Sequence, residues 1–222
     1  DGTGVGGVVA SAKGTLTLGA DGAFTYTKTD AEATGTDTFY YTIIDKDGDP
    51  STTTLTINLD SNPTITNLTP QGSGGAVSAD EDDLMASRGA GEAAGSDTSK
   101  ESTTQAGTFT ITAGDGVGSL TIGGTAFITN GVFTAGSFTT ALGNTLSVTA
   151  YNAGTGVVSY TYTLLDNEAH AAANGENALF ENFAVHLTDT DTGVADSTLS
   201  VRIVDDVPTA EADVDKTTAG TA

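Results

Sequence analysis

Cysteine is absent from the 222 residues, so neither disulfides nor thiolate-bound metals can hold the fold. Basic residues are nearly as scarce, with 7 Lys and Arg against 29 Asp and Glu and a formal charge of −22. A chain this acidic repels nucleic-acid phosphates and anionic lipid, and the small partners it attracts are cations. No run of about 18 apolar residues occurs and no basic, apolar segment opens the sequence, so neither a membrane span nor a secretory leader is expected within it. No stretch has the 3.6-residue apolar spacing of a long amphipathic helix.

Groups suited to catalysis are also few. His170 and His186 lack the close spacing of a zinc-binding pair, and no nucleophile elbow is present. Gly2, Gly4 and Gly7 match G-x-G-x-x-G, yet no strand precedes them and "TLTL" follows where a helix would be needed. Carboxylates are too numerous for one pair to stand out as a glycosidase dyad. The chain is therefore expected not to be an enzyme.

What the sequence does contain is short apolar and β-branched runs separated by Gly, Asp, Asn and Thr, the pattern of many short strands joined by turns. Two of these stretches repeat. "FYYTIIDKDGDPSTTTLTINLD" from Phe39 and "FAVHLTDTDTGVADSTLSVRIVDD" from Phe183 align without a gap, 144 residues apart. Phe39 falls on Phe183, Tyr41 on Val185, Ile43 on Leu187, Asp45 on Asp189, Asp47 on Asp191 and Leu55 on Leu199. Upstream, "FTYTKTDAE" lies on "YTYTLLDNE" at an offset of 136, and "HAAANGEN" supplies the difference.

Alternation of period 2 within each copy predicts antiparallel hairpins with one buried face. The expected fold is all-β, with immunoglobulin-like or cadherin-like antiparallel β-sandwich modules in tandem. The first module is assigned to residues 1–61 and is shortened at its N-terminus; the second, complete one occupies 62–206, and 207–222 begins a third. Asp precedes Pro closely at both junctions, in "LDSNP" and "VDDVP", where the fixed φ of Pro favours short, stiff joints. Residues 72–107, rich in Gly, Ala, Ser and acid, read as a long loop or a loosely held edge rather than core.

The carboxylates are the candidate ligands. Asp45, Asp47 and Asp49 alternate in "DKDGD", where they would repel one another unless a hard cation lay among them. Ca²⁺, which takes six to eight oxygens in flexible geometry, suits such a set. The spacing is not that of an EF-hand. In the second copy Asp189 and Asp191 persist and Gly193 replaces the third Asp, with Asp196 a substitute only if the turn is longer. The first turn is thus expected to bind more tightly. Further candidates are Asp80, Glu81, Asp82 and Asp83 in "SADEDDL", the junction residues Asp60, Asp205 and Asp206, and the repeated pair Asp166 and Glu168. Solvated turns and helix caps are the alternative role for all of these. His186 should face solvent, and His170 lies in the "HAAANGEN" insertion.

Together, "GTLTLGADGAFTYT", "TDTFYYTIIDKDGDPSTTTLTI", "FTITAGDGVGSLTIGG", "YTYTLLDNEAH" and "VRIVDDVPTAEAD" resemble the tandem extender repeats of giant type I secreted bacterial adhesins of the RTX class. The second module is similar to the repeat of about 143 residues named after that secretion route. The resemblance implies a cell-surface location outside the bacterium, Ca²⁺ at module ends that stiffens a long stalk, and a part in attachment or biofilm formation. The partners it implies are calcium ions and neighbouring modules of the same chain, which would act as a monomer. A glycan- or protein-binding module, using residues 72–107 or the "HAAANGEN" insertion, is the alternative expectation.

Overall fold

The alternating runs become strands. The computed structural model describes residues 5–31, 33–84, 102–171 and 175–207. In chain order the strands are β1 (Val8–Ala10), β2 (Gly14–Leu18), β3 (Phe24–Lys28), β4 (Gly35–Ile44), β5 (Pro50–Leu59), β6 (Thr64–Thr66), β7 (Val77–Asp80) and β8 (Thr104–Thr112). They continue with β9 (Val117–Ile122), β10 (Thr125–Thr129), β11 (Val132–Phe133), β12 (Gly136–Thr139), β13 (Thr145–Asn152), β14 (Val157–Thr163), β15 (Ala178–Asp189) and β16 (Val194–Val204).

Strands β6 to β16 form a sandwich. One sheet has the order β11-β10-β9-β15-β16-β7, and the other β12-β13-β14-β8-β6. Between them, Phe109, Ile111, Leu146, Val158, Tyr160 and Tyr162 meet Leu120, Ile122, Val185, Leu187, Leu199, Val201 and Ile203, all buried. Because successive side chains of a strand point to opposite sides, each of these runs delivers every second residue to the core.

The sheets depart from the expected all-antiparallel pattern at one place. β7 runs parallel to β16, with Val77 opposite Val201 and Asp80 opposite Val204. The chain enters the five-stranded sheet as β6, beside β8, turns through a short 3₁₀ helix at Gln71–Ser73, and re-enters in the opposite sheet. This also corrects the reading of 72–107 as lying outside the core. Its described part holds an edge strand, and Ala79 and Leu84 are buried in the central cluster. Polar and acidic composition hid the strand, since few of its residues are large and apolar.

Strands β1 to β3 form a three-stranded sheet, and β4 and β5 a separate hairpin. Tyr26 and Phe39 meet edge to face at 6.1 Å between ring centres, and Leu16, Phe39 and Leu59 are buried there. The repeat seen in the sequence is a repeat of hydrogen-bond register: Phe39 pairs with Leu55 as Phe183 pairs with Leu199, and Leu16 pairs with Tyr26 as Leu146 pairs with Tyr162.

One tyrosine–acid contact repeats as well, part-buried in the first unit and buried in the second. The Tyr26 hydroxyl donates to Asp37 Oδ2 at 2.8 Å, and the Tyr162 hydroxyl donates to Glu181 Oε2 at 2.8 Å. Asp37 also accepts from the Ser11 hydroxyl, which holds its carboxyl below the usual carboxylate range. Burial and the Glu181 carboxylate raise the Tyr162 hydroxyl far above the ordinary tyrosine value. Each unit thus pins one sheet to the other through a tyrosine and an acid.

Candidate metal centre

The site is best built from the turn that closes β15 and β16. Asp189 Oδ1 accepts from the Gly193 amide at 2.6 Å and from the Asp191 amide at 3.3 Å, and the Asp189 amide donates back to the Gly193 carbonyl at 3.1 Å. The first hairpin makes the same turn: Asp45 Oδ1 accepts from Asp49 at 2.8 Å and Gly48 at 3.0 Å, and the Asp45 amide donates to the Asp49 carbonyl. Gly48 has φ +100° and its counterpart Thr192 φ +83°. A β-branched residue is strained in that left-handed region, so the second turn keeps its shape against a local cost.

The surroundings of the two turns differ. Asp45, Asp47 and Asp49 bring their carboxylates within 4.8 Å of one another on an exposed tip, and hydrogen bonds to Asp45 from Asp47 and then from the backbone hold its carboxyl low. At the second turn, Asp60 and Asp115 join Asp189 and Asp191 within the same limit. Asp115 sits in the loop between β8 and β9. Its Oδ2 accepts from the Ser61 amide at 2.9 Å and the Ser61 hydroxyl at 3.0 Å, while its carbonyl accepts from the Thr190 hydroxyl at 2.7 Å. Asp115 thus ties the joint between β5 and β6 to the β15–β16 turn through Ser61 and Thr190, and four carboxylates gather where these segments meet.

Two observations test this cluster as a cation site. Asp189 is 4 % exposed, and its Oδ2 is buried with no hydrogen-bond partner. An unsatisfied buried carboxylate oxygen costs about 1–3 kcal/mol or more. Gly193 packs directly against it: a Cβ there would lie 2.3 Å from Asp189 Oδ2 and 3.0 Å from Pro63 Cδ, so no side chain fits at 193 without displacing the Asp189 carboxylate. The turn therefore has no place for a third Asp at 193, and the further carboxylates of this cluster come from Asp60 and Asp115. The crowding also raises Asp191, whose carboxyl is pushed up to about 6, first by its hydrogen bond with Asp189 and further by desolvation and the charges of Asp189, Asp60 and Asp115.

That shift has a defined sign. A carboxyl that binds its proton more tightly folded than unfolded weakens the fold above its folded pKa, and the loss is recovered as pH falls toward the unfolded value. In EDTA, the melting temperature contributed by this group should rise between pH 7 and pH 5. A saturating cation, which competes with the proton, should flatten that rise. Melts across pH in both conditions check this, and a metal-free melting temperature that falls steadily from pH 7 to pH 5 would contradict it.

A third group lies at the other end of the sandwich. His170 Nε2 is 3.0 Å from Glu81 Oε1, and Asp205 completes a set within 4.8 Å. His170 Nδ1 faces Asn177 Oδ1 at 3.1 Å, and the Asn177 amide donates to Asp205 Oδ2 at 2.8 Å. Burial raises the Glu81 carboxyl against hydrogen bonds from the Glu168 amide and His170. β15 and β16, 12 and 11 residues long, place this end roughly 35 Å from the joint at about 3.3 Å per residue.

The remaining candidates are placed differently. Asp80 caps the 3₁₀ helix Glu81–Asp83, accepting from the Asp82 amide at 3.0 Å, and Asp82 and Asp83 are buried in that helix; Glu81 of this stretch faces His170. Glu168 accepts from Asn144 at 2.6 Å and Asp166 is exposed, so the repeated acid pair does not converge on one point. Asp206 is half-buried beside Asp205 and outside the described groups. Asp196 lies on β16 and binds His186 at 2.6 Å, so it does not replace the third acid of the turn. His186 is partly exposed, as its position in the alternation requires.

Asp115 and His170 were not legible as site residues. "AGDGVG" signals a turn, but only the sandwich shows that this turn lies against "TDTDTG". His170 looks like a loop residue until Asn177 and Glu81 are seen on its two nitrogens.

Residues 1–58 match the family model described as bacterial Ig domain, a span that covers β1 to β4 and nearly all of β5. The chain is all-β, and its N-terminal part is similar to a bacterial Ig domain. A search of curated proteins finds no match. Among the described residues no helix is long and apolar enough to cross a membrane.

Proposed function

We propose that the chain is a non-enzymatic spacer of a secreted bacterial cell-surface adhesin, made of tandem Ig-like modules whose joint is stiffened by Ca²⁺ outside the cell. The observation that carries this reading is the joint itself: Asp60 follows the last strand of one unit, while Asp115, Asp189 and Asp191 belong to loops of the next. A cation held by all four would supply the positive charge that lets them approach, and bending the joint would pull Asp60 from the others. Oxygen-only donors favour a hard ion, Ca²⁺ over Zn²⁺.

On this reading the second turn is the tighter site and Asp45 to Asp49 the weaker, the reverse of the order expected from acid spacing. Support for a spacer over a glycan- or protein-binding module comes from the described parts of the two candidate recognition segments. β7 pairs into a sheet, and His170 and Asn177 of the insertion point toward Glu81 and Asp205. Small-angle scattering with and without Ca²⁺ tests the proposal. The maximum dimension should increase and the spread of conformations narrow on adding Ca²⁺; an unchanged profile would refute the stiffening role.

A further inference from the structure

The insertion that distinguishes the second copy, "HAAANGEN", begins with His170 and ends with Asn177, and these two residues meet. His170 Nδ1 lies 3.1 Å from Asn177 Oδ1. The other side of the Asn177 amide fixes which atom carries the proton. Its Nδ2 group donates to Asp205 Oδ2 at 2.8 Å and to the Ala171 carbonyl at 3.4 Å, so the oxygen is turned to the ring and Nδ1 must donate to it.

A neutral imidazole protonated at Nδ1 presents a lone pair at Nε2. That lone pair faces Glu81 Oε1 at 3.0 Å, an oxygen that also accepts from the Glu168 amide at 2.7 Å. Two acceptors this close repel unless a positive charge stands between them, either a proton or a metal ion. Little water reaches the pair, because the His170 and Glu81 side chains are 5 % and 1 % exposed. Asp205 brings a second carboxylate within 4.8 Å of both.

The strands account for this meeting. β7 runs parallel to β16 with Asp80 opposite Val204, so Glu81 and Asp205 leave neighbouring strand ends together. β15 begins with Ala178 opposite Val204, and the Asp205 amide donates to the Asn177 carbonyl at 2.9 Å. Residues 1–61 contain no histidine and no counterpart of the insertion, so the arrangement belongs to the second module.

We propose that Glu81, His170 and Asp205 form a binding site for Zn²⁺, held by one imidazole nitrogen and two carboxylate oxygens. A nitrogen donor sets this group apart from the all-oxygen joint, since imidazole suits Zn²⁺ whereas Ca²⁺ takes oxygen ligands. Zinc–ligand bonds of about 2.0–2.2 Å put neighbouring ligands of a tetrahedral ion roughly 3.3 Å apart, close to the separation of His170 Nε2 and Glu81 Oε1. A zinc-bound histidine ordinarily donates its other ring N–H to an acceptor that sets the ring's orientation, which is the part Asn177 plays. On binding, the metal takes the place of any proton on Nε2, and that proton leaves to solvent.

The test titrates the full chain with Zn²⁺ at neutral pH, in saturating Ca²⁺ to fill the acid-only clusters and again without Ca²⁺, so that its outcome does not depend on the joint. Calorimetry should show one tight Zn²⁺ per chain. In ¹⁵N spectra of the two histidines, the His170 Nε2 signal should change to that of a metal-bound nitrogen while Nδ1 stays protonated and His186 is unaffected. Asn177→Leu should weaken binding about 10–100-fold, and His170→Gln should weaken it further; His186→Asn should leave it unchanged. The spectra of the unaltered chain decide the matter even where a variant folds poorly. A His170 Nε2 still protonated at saturating Zn²⁺, an affinity indifferent to His170→Gln, or displacement of Zn²⁺ by Ca²⁺ at comparable concentration would overturn the proposal.

Discussion

Replacing Leu187 with alanine should cost the fold about 2–5 kcal/mol, whereas replacing Ile43, its counterpart in the first copy, should cost less than about 1 kcal/mol. The two positions have the same register in the same hairpin, so strand propensity and turn geometry cancel in the comparison. What remains is packing. Leu187 is enclosed by β9 and the facing sheet, and its truncation would leave a cavity whose lining loses dispersion contacts. Ile43 faces water, so losing its methylenes removes little that was buried. Denaturant unfolding followed by amide exchange in each unit separates the two costs. Equal costs would show that the face of β4 is covered in solution and that the contrast between the copies is not one of burial.

The second large effect concerns the cation. A ligand at 100 times its dissociation constant adds about 2.7 kcal/mol per site to the folded state. For a chain of this size that corresponds to a rise in melting temperature of roughly 5–10 °C for one saturated site. Calcium should therefore raise the melting temperature by at least this amount, and EDTA should reverse it. Gly193→Ala should remove most of the rise, because the new methyl group collides with the Asp189 carboxylate and displaces it. Asp60→Asn, which keeps shape and lies on the exposed side of the joint, should also remove most of it while leaving the melt in EDTA nearly unchanged. Asp49→Asn, at the exposed first turn, should have the smaller effect. If Asp49→Asn abolished the calcium response and Asp60→Asn did not, the order of the two sites would be the one that acid spacing suggests.

These predictions show where sequence patterns suffice and where they stop. The alternation in "FYYTII" and "FAVHLTD" defined the strands, their register and their repetition, since period 2 and a gap-free offset are properties of local sequence. The Asp-Gly chemistry of the turns was visible for the same reason. Burial was not. Ile43 and Leu187 read alike in sequence, and only the presence of β9 beside one of them makes it core. The parallel strand β7 was hidden because "VSAD" carries one large apolar residue and pairs with a strand more than a hundred residues away. The site shows the same division. Asp189 and Asp191 were legible from spacing, while Asp115 depended on two turns meeting in space. Gly193 read as a loss until Asp189 Oδ2 was seen beside it. A third module opening within 207–222 is a reading that lies almost wholly outside the described residues.

Two tyrosine–acid contacts, Tyr26 with Asp37 and the buried Tyr162 with Glu181, tie the sheets of each unit. The acid groups then fall in sequence along the chain: the tip at Asp45, the joint at Asp60, and the far end at Glu81 and Asp205. Each β4–β5 or β15–β16 hairpin places a turn acid at one end and a junction Asp at the other, so a repeat of the hairpin repeats the joint.

Anomalous diffraction from crystals grown with Ca²⁺, or with Tb³⁺ in its place, tests the central claim most directly. An anomalous peak should lie among Asp60, Asp115, Asp189 and Asp191, in contact with Asp189 Oδ2. A well-ordered joint with no peak there, in crystals where the ion is found at Asp45 to Asp49 or at Glu81, would contradict the claim that a cation closes the joint.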